Sequence, residues 1–273
     1  MASNTVSLYK HCLLSHMKKL LCVFAHPDDE SFTAGGTIAK YVKAGWAVNL
    51  ICGTRGEAGD IGSVRLSKGD ALGQVREAEL REAGKVLGLS SITLLPYKDG
   101  TLSTKVPGDI EEALINKLSE MKPDVVITFE TGGISNHPDH IKLSYATTYA
   151  FQEYAKMRRK AIPNDENPPK LYYACVPESV CQYLIGEGVF PAEAHERPWR
   201  GVEDKKISTV IDIKRFASVK EEALRKHMTQ EGDVDRYYSI DSNILAVQEY
   251  YMLRMVGITE AFVGKNDRVS DGL

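Results

Sequence analysis

Two short segments of this 273-residue chain each place a histidine three positions from a second side chain that binds metals. The first is Ala25-His26-Pro27-Asp28-Asp29-Glu30; the second is His137-Pro138-Asp139-His140. Imidazole nitrogens and carboxylate oxygens both ligate Zn2+, and a catalytic zinc commonly keeps three protein ligands and leaves its fourth position to water. His26, Asp29 and His140 make up such a set. Asp28 then stands beside a ligand, within reach of the activated water, as the candidate general base that later returns the proton to a leaving nitrogen. His137, three residues before His140, is the candidate electrophile that stabilises a tetrahedral oxyanion. Asp139 either orients a ligand imidazole or caps the helix that begins near Pro138. The bland alternative is that His26 packs, Asp28 and Asp29 are acidic residues of a first helical turn, and the second motif is a solvated turn.

Both motifs follow apolar runs, Leu20 to Ala25 and Asp124 to Phe129, whose length and composition read as buried strands. Further strands are expected at about 46–53, 91–96, 171–176 and 207–213, and helices at about 31–45, 73–88, 109–121, 138–158, 214–228 and 243–256. This alternation predicts an α/β fold: a Rossmann-like, doubly wound, mostly parallel sheet with helices on both faces. In such sheets ligands bind outside the carboxyl ends of the strands, so two segments more than 100 residues apart can share one pocket. One domain over 17–273 is expected, preceded by a 1–16 extension with no visible chemistry. The Pro- and Asn-rich stretch 161–170 and the irregular stretch 184–204 read as pocket rim or subunit contact rather than as separate domains.

A net charge of -3 gives no electrostatic reason to expect a nucleic-acid or anionic-membrane partner, and a small-molecule substrate fits better. Of five cysteines, Cys22 and Cys52 fall inside expected strands, and none forms a CxxC pair. That reads as core thiols in a reducing, cytoplasmic compartment. The apolar stretch after Lys18 and Lys19 is shorter than the ~7 residues of a signal-peptide core, and cleavage there would sever His26 from its strand. No run has transmembrane length.

The two motifs resemble those of the PIG-L/LmbE family of zinc-dependent N-deacetylases. So do Gly53 to Gly59, Arg76 to Leu87, the Asp99-Gly100 turn, and Lys220 through His227 to Gln230, so the similarity spans about residues 18 to 230. The resemblance implies hydrolysis of the acetamide of an N-acetylglucosamine-type sugar, with zinc on His26, Asp29 and His140, Asp28 as base and His137 as oxyanion partner. It also implies that Arg55 faces the site to bind substrate, and it makes a homo-oligomer the expected assembly. Asp99 is a candidate for sugar hydroxyls, although Asp-Gly is equally an ordinary turn. Some members carry a tyrosine two residues before the position of His137, where this chain has Ser135, and Asn136 takes a place often held by glycine in a turn that needs the left-handed region. Gly53, Gly56 and Gly59 lack dinucleotide-fingerprint spacing and are expected to let the backbone turn or approach closely.

Two histidines and a carboxylate also make the facial triad of Fe(II) oxygenases, but those sites sit in β-rich barrels. Within the deacetylase reading, a thiol conjugate or non-sugar acetamide is the alternative substrate, and a non-catalytic sugar-binding module the alternative function. The donor set also admits Fe2+ or another divalent metal in place of zinc.

Overall fold

The first strand, β1 (Lys19–Phe24), is the apolar run read from the sequence, and Leu20 through Ala25 have no exposed surface. It lies inside an eight-stranded sheet and pairs in parallel with β2 (Ala47–Thr54) on one side and β4 (Val125–Phe129) on the other. Beyond β2 comes β3 (Ser91–Tyr97), and beyond β4 comes β5 (Lys170–Cys175), both parallel to their neighbours. The computed structural model describes residues 17–61, 68–262 and 270–273.

Helices α1 (Asp29–Lys43), α2 (Asp70–Leu87), α3 (Asp109–Met121) and α4 (Pro138–Ala161) make the crossovers between these strands. Helix α3 packs on α4, while α1 and α2 pack with the later α6 (Ala217–Leu224), so two helical groups flank the sheet. Acidic Asp29 and Glu30 begin α1, and basic Lys40 and Lys43 end it, matching the macrodipole. The α/β class and mostly parallel sheet are as expected. Chain order reverses at β1, which leads to β2 and β3 on one side while β4 and β5 fill the other. The crevice at this switch point receives the residues that follow β1 and β4.

The C-terminal part departs from expectation. Instead of a helix over 243–256, the chain makes a 3-10 turn at Ile244–Ala246 and then β9 (Gln248–Val256), which runs antiparallel along β5. On the other edge of β9 lie β8 (Thr209–Asp212) and β10 (Thr259–Glu260), also antiparallel. A charged residue hid the strand: Glu249 and Tyr251 alternate inward as a half-buried strand requires, but Glu249 reads as a surface position. It is buried because Lys220 Nζ donates to its Oε1 (2.8 Å), while the N–H groups of Gly36 and Thr37 in α1 donate to Oε1 and Oε2 (3.0 and 2.8 Å). The expected helix over 214–228 is shorter too, a 3-10 turn followed by α6.

Two further helices were not expected, α5 (Glu178–Gly186) and α7 (Glu231–Tyr237), and a two-residue-strand hairpin joins β6 (Glu193–Ala194) to β7 (Arg197–Pro198). Residues 161–170 precede β5, at the end of the sheet away from the switch point, and Arg158 Nε fastens them by an ion pair to Asp165 (2.7 Å). They supply nothing to the cavity described below, contrary to the pocket-rim reading, whereas 184–204 supplies much of one wall. Cys22, Cys52, Cys175 and Cys181 are buried free thiols, while Cys12 and the 1–16 extension lie outside the described residues. Among the described residues no helix is long and apolar enough to cross a membrane.

Gly36 shows how tightly α1 is seated. A Cβ there would come within 2.4 Å of Ile213 Cδ1 and 2.6 Å of its Cβ, which is fixed to the backbone. Gly36→Ala should therefore destabilise the fold by roughly 1–3 kcal/mol through overpacking, although alanine is the better helix former. A urea titration checks the sign.

Candidate metal centre

Strand β1 delivers His26 and α1 begins with Asp29, while β4 leads through a tight loop to α4, which carries His140 in its first turn. That loop is bent by its own acceptor: both carboxylate oxygens of Glu130 take backbone N–H groups, of Gly132 and Ile134. Ile134 (φ 62, ψ -53) and Asn136 (φ 61) both take positive φ, which Asn136 tolerates, as expected, and a β-branched residue resists. Pro138 then occupies N1 of α4, and His137 is its N-cap, with Nδ1 accepting from the N–H of Asp139 (3.1 Å).

Hydrogen-bond partners fix the tautomers. His140 Nδ1 lies 3.1 Å from the carbonyl of Gly133, which only accepts, so the ring proton is on Nδ1 and Nε2 presents a lone pair. His26 Nε2 lies 2.9 Å from Asp99 Oδ1 and 3.5 Å from Asp139 Oδ2. These are ion-pair contacts rather than aligned hydrogen bonds, and they keep the proton on Nε2. His26 Nδ1 and His140 Nε2 consequently face each other at 3.0 Å. Against the burial that disfavours its charge, Asp139 and Asp99 raise the His26 pKa to about 10, so without a metal Nδ1 carries a proton shared with His140 Nε2, and a bound cation would take that proton's place. Asp29 Oδ1 lies 3.4 Å from His140 Nε2, and Oδ2 lies 3.7 Å from His26 Nδ1. Donors around a tetrahedral zinc with bonds of 2.0–2.1 Å stand ~3.3 Å apart, so the two nitrogens suit a metal in chemistry and spacing, with a different Asp29 oxygen near each of them. The N–H groups of Ala25 and His26 also donate to Asp29 Oδ2 (3.2 and 2.7 Å), which aims the carboxylate. Ligand atoms of His26, His137 and His140 also lie within 4.8 Å of one another, as do those of His26, Asp99 and Asp139.

Asp28 is the N-cap residue of α1, with φ 111 and no side-chain cap. Its strained backbone is held from both sides: its N–H donates to Glu30 Oε2 (3.1 Å), and its carbonyl accepts from Ser31 and Phe32 (3.0 Å each). Its carboxylate turns instead to Arg76, whose Nη2 donates to Asp28 Oδ2 (3.0 Å) and to the carbonyl of Pro27 (2.6 Å), while Nη1 donates to the carbonyl of Gly56 (3.0 Å). Burial pushes the Asp28 carboxyl up to about 7 against the pull of Arg76, and burial likewise lifts Asp29 to about 6 against His26. Burial and the neighbouring imidazoles push His137 down to about 3, so its ring is neutral with the proton on Nε2.

Two candidates sit elsewhere than expected. Arg55 is exposed, donates through Nε to Glu77 (2.9 Å), and does not line the cavity. Asp99 is turned inward against His26, and it accepts the N–H of Ala58 (3.1 Å). Asp139 is wholly buried, and its two oxygens accept the N–H groups of Gly100 (2.7 Å) and Leu102 (2.9 Å).

Sequence reading assigned no role to Arg76, although its segment was matched, nor to the buried pair of Glu30 Oε1 and His227 Nε2 (3.0 Å). The signal for Arg76 was the glycine loop. A Cβ on Gly56 or Gly59 would come within 2.4 or 2.1 Å of the guanidinium, so the close approach that these glycines allow is to Arg76.

Asp28, Asp29 and His140 open into a cavity of about 380 Å3. Its wall includes Phe32, Val189, Phe190, Trp199, Tyr237 and Leu245, an apolar surface next to a charged centre.

A buried imidazole–carboxylate cluster that could hold a metal ion lies at the switch point of a mostly parallel sheet, beside a substrate-sized pocket, in a protein of the α/β class. Residues 21–151 match the PIG-L family profile, described as GlcNAc-PI de-N-acetylase. A 1D-myo-inositol 2-acetamido-2-deoxy-alpha-D-glucopyranoside deacetylase of Rhodococcus erythropolis strain PR4 is 31% identical over 242 residues, 78% of this chain and 81% of that protein. The chain belongs to the PIG-L family.

Among solved structures, the N,N'-diacetylchitobiose deacetylase of Pyrococcus horikoshii superposes with TM-score 0.60 at 20% identity, covering 94% of this chain and 95% of that one. The 4-carboxy-2-hydroxymuconate hydratase GalB of Pseudomonas putida KT2440 superposes with TM-score 0.61 at 20% identity, covering 90% and 100%. The fold thus carries more than one chemistry, and function rests on the site.

If His26, Asp29 and His140 are the ligands, His26→Ala, Asp29→Ala and His140→Ala should each lose zinc, and His137→Ala should keep it. Atomic emission on chelator-stripped, reloaded protein reads the difference, and loss of zinc from the His137 variant would move that residue into the ligand set. Arg76→Lys cannot reproduce the planar fork and should cost roughly 1–3 kcal/mol by leaving buried acceptors unpaired, as measured by denaturant unfolding.

Proposed function

We propose that the protein is a metal-dependent N-deacetylase acting on an N-acetylglucosamine-type sugar or its conjugate, releasing acetate and the free amine. The observation that carries this is the convergence of three possible metal donors with a spare carboxylate, Asp28, held beside them by Arg76 and open to the cavity, where it could accept a proton from an attacking water. The deacetylase named among its relatives supports the substrate class.

His26, Asp29 and His140 would hold the metal, zinc by their donor chemistry, and a bound cation would polarise the acyl oxygen and make water more acidic. Asp28 accepts a proton from the attacking water as its oxygen bonds to the acyl carbon. His137 donates its Nε2 proton in a hydrogen bond to the oxyanion of the tetrahedral carbon. Asp28 then returns the proton to the amide nitrogen as the carbon–nitrogen bond breaks, so water and acetamide become acetate and amine. Asp99 and Asp139 keep the His26 proton on Nε2, and this is how we assign Asp99, instead of to substrate hydroxyls. Arg76 holds Asp28 in place. The wall built from residues 184–204 selects what is attached to the sugar, and its apolar residues also admit the alternative of a non-sugar acetamide.

Asp28→Asn should keep its zinc and lose roughly 100- to 10,000-fold in kcat, the usual worth of a general base. The measurement is acetate release from N-acetylglucosamine, its chitobiose and its inositol conjugate. Unchanged turnover would remove Asp28 as the base.

A further inference from the structure

We infer that His195, at the tip of the hairpin β6–β7, is a further catalytic residue that donates a ring N–H to the substrate's acyl oxygen on the side covered by His137. This rests on the deacetylase reading of the site.

His195 comes from a segment 55 residues beyond His140, yet its ring stands edge-on to that of His137 with centroids 4.6 Å apart. It lines the same cavity as Asp28, Asp29, Ser135 and His140. No hydrogen bond or ion pair engages either nitrogen of its ring among the described residues. Every other imidazole at the centre has a nitrogen committed to the protein: His26 to Asp99, His137 to the N–H of Asp139, and His140 to Gly133. His195 alone of the four has both nitrogens open to a ligand.

The hairpin is built to keep the ring there. His195 (φ 52) and Glu196 (φ 60) both take the left-handed region that a two-residue hairpin turn demands, positions where asparagine and glycine are usual. Asn136, the residue before His137, latches the hairpin: its Nδ2 lies 3.4, 3.4 and 3.1 Å from the carbonyls of Ala194, Arg197 and Pro198. At the base of the hairpin the backbone N–H of Trp199 donates to the carbonyl of Ala192 (2.9 Å), and the indole stacks on Phe190 at 4.5 Å. One residue thus ties the loop that aims His137 to the hairpin that carries His195. Strain of this kind persists where surrounding contacts over-determine it, and it gathers at functional sites.

The test compares wild type, His195→Ala, His195→Gln and Asn136→Gly. The last keeps the positive φ and removes only the latch. With zinc-loaded full-length protein and the α-inositol conjugate of N-acetylglucosamine, His195→Ala should lower kcat/KM roughly 10- to 100-fold, within or below the range for an oxyanion donor. Zinc content and melting temperature should stay at wild-type values. His195→Gln should recover much of the loss, and Asn136→Gly should move in the same direction as His195→Ala. A kcat/KM for His195→Ala within twofold of wild type would overturn the inference. If wild type itself releases no acetate, the deacetylase reading fails separately. The inference is then read from the nitrogen-15 imidazole signals of His195 in zinc-loaded protein, identified by their loss in His195→Ala, during titration with N-acetylglucosamine. A saturable shift supports contact, and unmoved signals overturn it.

Discussion

The site hangs on one buried cation. Arg76, reaching in from α2, gathers the carbonyl of Pro27, the carboxylate of Asp28 and the carbonyl of Gly56 around one guanidinium, and so joins the loops after β1 and β2. A planar fork with five donors serves three acceptors in different directions, which an ammonium group cannot do. The same contact holds Asp28 against its backbone strain and offsets part of the burial that would otherwise make its carboxyl a still weaker acid. Charge, geometry and the glycines of the loop thus form one arrangement.

A second buried ion pair secures the middle of α1. Lys220 and Glu249 are nearly without exposure, and the pair joins α6 to β9, with Glu249 also accepting two N–H groups of α1. A charged pair withdrawn from water is worth little net stability unless its remaining hydrogen-bonding capacity is satisfied. Here it is: the ammonium also reaches the carbonyls of Phe32 and Leu245 (2.9 and 3.1 Å), and Tyr251 donates to Glu249 Oε2 (3.2 Å). Phe32 is part of the cavity wall, so this network shapes the pocket as well as the fold.

The parallel half of the sheet was legible because its strands are apolar runs with few polar interruptions, as doubly covered strands must be. β9 was not, because a buried glutamate broke its period. The side chains of His26, Asp29 and His140, singled out by type and spacing, do meet, because the strand ends place them near one another. Roles that depend on orientation could not: whether Asp99 turns to solvent or to His26, and whether Arg55 points into the pocket or along α2 to Glu77, are decided by packing rather than by sequence distance. Arg76 escaped notice as an arginine in an amphipathic helix, where most arginines are solvated. His195 had been read only as part of a pocket rim or an interface, since nothing in the local sequence signals that a hairpin folds its tip onto a ring 58 positions earlier.

Because β9 lies between β5 and the last strands, and its Glu249 secures α1 across 213 residues of sequence, the helix that carries Asp29 is fastened by a late part of the chain. On the ribosome the metal donors all emerge well before their fastening does. The cluster is thus completed only after β9 has emerged, through contacts of long sequence separation, which are slow to form. Until residue 249 has emerged, a nascent chain therefore carries these histidines and aspartates without the anchor that seats the helix beginning at Asp29.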